Sequence, residues 1–387
     1  MPELENELLR LENPSRCVAI SVPNSGYLLG LNLPHSKARR IGEKCFGRLC
    51  DRGINIFKKY KIKSVILWDD PFGQFTQSIV NSPPENLKKV KTGVINVLKK
   101  YFSDWDCFHL AWDSGHLNWI KSFNFLPEKN LHISPLPTHV CFIKPDRKRI
   151  TTRNLAFFGN VYLSNLRRDP LLNDLSIKKI YEEITNHFSI ISSTENKDLL
   201  TALCTEILDR KCKKWEDSTL FWPIYRKVIW YLVNTKKRMA ILNNLKKEIS
   251  FFGNFADPES SSLFGRNIQF QGNLDFFNDL PRAFEETKVS IDVTNSLAIN
   301  GVTGKFFECY ASNGFMLIDF KSDLVKLLGD EIAKKIVYTS LSDLNEKIDY
   351  FLNNSSEREE IRQTIKNIVV TKCCPQKWCY KINEICD

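Results

Sequence analysis

Along this chain, short apolar runs alternate with longer stretches in which apolar and charged positions recur every three or four residues. The short runs predict strands at 17–23, 63–70, 107–112, 130–137 and 155–161, and again at 248–255, 267–273, 288–295, 314–320 and 335–340. Between them the longer stretches predict helices at 35–60, 84–102, 115–125, 277–287, 304–313, 322–329, 341–354 and 356–370. A stretch at 166–245 is also helical in pattern, and it is far longer than a usual crossover helix of about 10–15 residues. Strand after helix after strand implies parallel pairing with helices on both faces of a sheet. The series breaks once, at the polar, basic segment 143–154. The fold expected is therefore α/β, with two doubly wound, Rossmann-like domains facing across a cleft. The first spans 1–145. The second spans 146–387, carries 166–245 as a helical insertion, and leaves its last helix free to pack back on the first domain.

Composition narrows the class. The chain has 387 residues, 43% of them hydrophobic and 26% charged, the balance of a globular protein of about two domains. No apolar run reaches the ~18–20 residues of a membrane span. The opening MPELENELLRLENPSR lacks the apolar core of a secretory signal. A cytoplasmic location is expected, with the inner face of the membrane as the alternative. The net charge of +10 is spread over helical segments such as LKKVKTGVINVLKKY (87–101) and NTKKRMAILNNLKKE (234–248), which read as solvated faces rather than a nucleic-acid stripe. The apolar, aromatic run STLFWPIYRKVIWYLV (218–233) reads as a buried helix or as a contact surface. Of the twelve cysteines, Cys17, Cys107, Cys141 and Cys309 sit in apolar stretches, where a thiol acts as a small core residue. Cys373, Cys374, Cys379 and Cys386 close the chain, but no pair of them has zinc-ligand spacing with a histidine nearby. They read as free thiols of a terminal helix.

Residues 299–314, INGVTGKFFECYASNG, concentrate chemistry at the mouth of a predicted helix. Gly301 and Gly304 let backbone approach a ligand closely. The first N–H groups of a helix favour anions, and Lys305 adds a point charge. The plain structural alternative is a glycine loop, a glutamate on a helix surface and a C-cap at Gly314.

Several segments, in order, resemble one family. WDDPFG (68–73), DWDCFHLAWDSG (104–115), ISPLPTHVCFIKPD (133–146), LAFFGNVYLSNLRRDPLL (155–172) and GKFFECYASNGFMLIDFKSDLVKLL (304–328) together resemble nucleotide-sugar glycosyltransferases of the GT-B fold. More narrowly they resemble the CgeB-like, spore-maturation-type branch. The resemblance implies transfer of a sugar from a nucleotide-diphosphate donor to a cell-surface glycan, lipid or protein, as in bacterial polysaccharide or glycoconjugate biosynthesis. It implies no cofactor beyond the nucleotide sugar as co-substrate.

The donor site implied is the 300–308 segment. Glu308 fits the second of two family glutamates and would accept hydrogen bonds from two ribose hydroxyls, while Lys305 would meet the diphosphate. Asn300 stands where the family has its other acid, so the identity of the sugar does not carry over. Arg167 and Arg168 are candidates for bidentate diphosphate contact. Gly159 and Asn160, with Gly253 and Asn254, end strands at the expected cleft edge, and the shared FFGN at 157–160 and 251–254 points to similar turns. Catalytic candidates are Asp69 and Asp70 at a strand end, and His35, as the base that deprotonates the acceptor. Asp70 precedes Pro71, a pair that also starts ordinary turns. Asp104 and Asp106 form an Asp-x-Asp pattern, yet they precede a strand instead of ending one, and no metal is expected. Two other readings stand beside this one, the first of them motivated by the departures from the family pattern. One is a transferase-like fold that binds sugar or protein without catalysis. The other is a sugar-nucleotide epimerase on the same architecture.

Overall fold

A computed structural model describes residues 18–21, 59, 61, 63–68, 107–121, 126–146, 150–161, 237–254, 264–295 and 298–386. His35, Asp69, Asp70, Arg167, Arg168 and the runs 35–58, 84–102, 104–106 and 162–236 lie outside the described residues. The chain divides into two compact units at Ser134 and Pro135, and the residues from Tyr380 onward belong to the first unit.

The first unit holds a parallel sheet of β1 (Val18–Ser21), β2 (Lys63–Trp68), β3 (Cys107–Ala111) and β4 (Leu131–Ile133), in that order. Helix α1 (Ser114–Lys121) links the last two. Its start is turned by Asp113, whose Oδ1 accepts from the N–H groups of Gly115 and His116 at 2.7 and 3.3 Å.

The second unit carries the larger sheet: β5 (Arg153–Phe158), β6 (Ile249–Phe252), β7 (Ile268–Gly272), β8 (Thr287–Asp292), β9 (Met316–Asp319) and β10 (Val337–Tyr338). All neighbours are parallel and the order is β10-β9-β8-β5-β6-β7. Numbered from its own first strand and read from the other edge, this is 3-2-1-4-5-6, the doubly wound order whose direction of winding reverses between β5 and β8. Strands covered on both faces are mostly apolar, and residues 155–158 and 316–318 are accordingly buried without alternation.

The helices of this unit are α2 (Leu280–Glu286), α3 (Gly304–Ala311), α4 (Ser322–Leu328), α5 (Asp330–Ile336), α6 (Leu341–Asn353) and α7 (Ser355–Lys372). An earlier helical segment covers 237–243, and α8 (Pro375–Cys386) closes the chain. Pro281 sits in the first turn of α2, where its missing N–H costs nothing.

Two local expectations need correction. The strand expected at 335–340 is only Val337–Tyr338, because Lys335 and Ile336 complete α5. The left-handed residue that ends α3 is Asn313 (φ 64°), not Gly314. Asn313 tolerates that backbone because its short amide is fully engaged. Its Nδ2 donates to the Pro145 carbonyl at 3.0 Å, and its Oδ1 accepts from Arg362 and Lys366 at 3.2 and 2.5 Å. Gly314 is needed for space, since a Cβ there would lie 2.5 Å from the Cys309 sulfur. The same network fastens residues 135–146 to the second unit, with Lys366 also donating to the Lys144 carbonyl at 2.7 Å.

Candidate functional site

In a doubly wound sheet, ligands bind outside the carboxyl ends of the strands where the order reverses. A cavity of about 820 Å³ opens there, lined by residues that follow β5, β6, β7 and β8 and by the start of α3. Gly159, Asn160, Gly253, Gly304, Lys305 and Glu308 all line it. Asn300 and Gly301 are not among the lining residues, and the Asn300 carbonyl instead accepts from the Asp323 N–H at 3.0 Å. Asn254 stands just behind the wall, donating its N–H to Asn160 Oδ1 at 2.8 Å.

The repeated FFGN has a structural reason that is not a repeat. Phe157 and Phe158 pair in register with Phe251 and Phe252, so two identical strand ends lie side by side. The turns that follow press backbone on backbone. The Gly159 N–H donates to the Phe252 carbonyl at 2.8 Å, and a Cβ on Gly253 would lie only 2.0 Å from the Gly159 oxygen. Gly253 is therefore dictated by the close approach of backbone, and Gly159 by the Phe157 ring, whose Cζ would lie 2.9 Å from an added Cβ.

Helix α3 explains the spacing in GKFFE. Residues four apart on a helix stand one above the other, so Glu308 reaches back over the first residue of its own helix. A Cβ on Gly304 would sit 3.3 Å from Glu308 Oε1. Glycine at 304 thus leaves room for the carboxyl beside the first-turn N–H groups, which have no partner within a helix. Burial pushes the Glu308 carboxyl up to about 7, against the pull of Lys305. Lys305 itself is pinned by Asp292, the last residue of β8, with Nζ 2.6 Å from an Oδ1 that is wholly buried.

Arg238 was missed in the sequence because it lies in a lysine-rich run. Far from facing solvent, it is 8% exposed, lines the cavity, and bridges the two strands at the reversal. Its Nη1 donates to the Asn160 carbonyl at 2.6 Å, and its Nε and Nη2 donate to the Val293 carbonyl at 3.3 Å each. Lys237 is no solvated lysine either. Its Nζ lies 2.7 Å from Asp319 Oδ2, whose Oδ1 accepts from the Thr294 N–H at 2.7 Å. Burial disfavours the charged Asp319, but Lys237 and Lys321 outweigh it and hold the carboxyl well below its usual range. No sequence signal separated these two residues from the exposed lysines around them. Only the positions of β5, β8 and β9 do so.

The far wall of the cavity is apolar. Leu274, Phe276 and Leu280 line it beside the amide of Asn273. Asp275 shapes this turn, its Oδ1 accepting from the N–H groups of Phe277 and Asn278 at 3.1 and 2.8 Å. Phe276 packs edge-on against buried Phe142, with ring centroids 5.1 Å apart, and remains 42% exposed. Among the described residues no group of three or more His, Cys, Asp or Glu is placed to hold a metal ion, and no helix is long and apolar enough to cross a membrane.

The arrangement pairs a cationic end, built from Arg238, Lys305 and the start of α3, with an apolar end carrying an exposed aromatic ring. Residues 237–379, which include most of that lining, match the family model described as Glycosyl transferase-like. No curated protein matches the chain. Among solved structures, Anabaena Alr3699/HepE in complex with UDP and glucose aligns over 87% of this chain and 75% of its own, with a TM-score of 0.48 at 10% identity. T4 phage BGT in complex with UDP and Mn2+ aligns over 95% of this chain and 82% of its own, with a TM-score of 0.45 at 13% identity. TarM aligns over 84% of this chain with a TM-score of 0.44 at 10% identity, and the chain spans only 50% of TarM.

Proposed function

We propose that this chain is a nucleotide-sugar glycosyltransferase that holds its donor in the cavity at the β5–β8 reversal. The observation that carries the reading is the convergence there of a buried arginine, a carboxylate-pinned lysine and the start of a helix, opposite an apolar wall. A buried arginine and a lysine gathered at the start of a helix suit a diphosphate. Glu308 takes the ribose hydroxyls, and Phe276 with Leu274 takes the base. The acceptor is a cell-surface glycan, lipid or protein. The CgeB-like branch rests on the sequence motifs alone.

The test is calorimetric titration of the purified chain with the common nucleoside diphosphates and the matching nucleosides, followed by donor hydrolysis. One diphosphate is expected to bind well above its nucleoside. Failure of every diphosphate to bind would remove the reading. Binding without hydrolysis or transfer to any acceptor would favour the non-catalytic alternative.

Two further outcomes are expected. Lys305→Ala weakens the diphosphate far more than the nucleoside and flattens the salt dependence of binding, because its partner is phosphate charge. An equal loss for both ligands would argue that Lys305 acts only through the shape of α3. Asp69→Asn or Asp70→Asn is expected to keep donor affinity while slowing transfer by roughly 10²- to 10⁴-fold, the usual contribution of a general base. Full transfer activity in both variants would move the base elsewhere.

A further inference from the structure

Phe157 looks like an ordinary core residue. It is fully buried at the end of β5 and packs against Phe251 with ring centroids 5.3 Å apart. Yet both cations of the cavity lie over its ring. The Arg238 guanidinium carbon and the Lys305 ammonium nitrogen are each 5.7 Å from the ring centroid. That is within the range at which a ring's negative face attracts a cation.

Two like charges gathered at one cavity wall repel each other. Lys305 has the Asp292 carboxylate, whereas Arg238 is given two backbone carbonyls. A shared aromatic ring offsets the repulsion without adding a full negative charge that would reject an anionic ligand. The neighbouring glycine keeps the device open. A Cβ on Gly159 would lie 2.9 Å from the ring's Cζ and 3.6 Å from the Lys305 nitrogen.

We propose that Phe157 is a positioning residue whose ring holds Arg238 and Lys305 together at the cavity, preorganised for a diphosphate group. The inference rests on the donor-site reading above and assigns the spacing of its cations to a side chain that touches no ligand.

The test replaces Phe157 with 3,5-difluorophenylalanine, which keeps the ring's shape and apolar character while weakening its negative face. Phe157→Leu serves as a second variant, and inorganic pyrophosphate is the probe, so the base plays no part. The dissociation constant of pyrophosphate is expected to rise roughly 2- to 30-fold in either variant, as loss of cation–ring attraction implies. The fluorinated protein should melt as the wild type does. In a Lys305→Ala background the fluorination effect should shrink, since one of the two cations is gone. If the wild-type protein fails to bind pyrophosphate, the donor-site reading falls and this inference falls with it. If the wild type binds and the fluorinated protein binds equally well, the donor site stands and Phe157 is core packing alone. An unfolded Phe157→Leu leaves the decision to the fluorinated variant.

Discussion

Glu308→Gln is expected to give a protein that melts higher than wild type at about pH 8 and binds nucleoside diphosphate roughly 10- to 150-fold more weakly. Both effects follow from one carboxyl. Burial raises Glu308 from 4.5 to about 7 in the folded chain, so the folded state holds this proton more tightly than the unfolded state does. Stability from this group is therefore full below pH 4.5 and is lost as pH rises to about 7. Above that, a buried anion remains at a cost on the order of 3 kcal/mol, which glutamine removes. The same anion is what two ribose hydroxyls would donate to, and a hydrogen bond to a charged group contributes about 1.5–3 kcal/mol. Wild-type affinity is accordingly expected to rise with pH through about 7, while the variant's affinity stays flat. Melting curves and titrations across that range check both halves. A variant that melts no higher at alkaline pH and binds as tightly as wild type would show that the carboxyl is neither strained nor used.

Gly253→Ala is expected to be the most damaging single-methyl change in the second unit, costing about 3 kcal/mol or more and abolishing nucleotide binding. Its Cβ would overlap the Gly159 carbonyl oxygen at 2.0 Å, where only backbone can yield. Relief requires parting β5 from β6 at the cavity. Gly272→Ala is the internal control. That glycine has φ 85° but nothing within 4 Å of an added Cβ, so it pays backbone strain alone, roughly 1–2 kcal/mol. Denaturant melts of the two variants should separate widely. Equal losses would mean that the backbone conformation, not the contact, governs both sites.

All ten described strands were legible in the sequence, the central ones because strands buried on both faces read as near-continuous apolar runs. Helix α5 was not. It follows α4 across Gly329, and its apolar end runs straight into Val337–Tyr338, so one apolar run served two elements. In the candidate site, glycines and the GKFFE spacing were readable because they answer to local geometry. Arg238 was hidden, since a buried arginine and a solvated lysine look alike in a basic run. Its place depends on Asn160 and Val293, contacts 78 and 55 residues away. Asn300 and Gly301 belong to the same segment, but the turn that follows them brings only Thr303, Gly304, Lys305 and Glu308 to the cavity.

The reversal of strand order between β5 and β8 also sets a timetable for synthesis. Strand β5 ends at Phe158, but the partners on its two sides begin at Ile249 and Thr287. At ~5–20 residues per second, a ribosome leaves the apolar end of β5 without its β8 partner for roughly 6–26 seconds. Among the interior strands described, β5 is thus the one that waits longest for a partner on the nascent chain. That interval, more than the finished protein's stability, is when chaperone binding and strand-to-strand aggregation compete with folding.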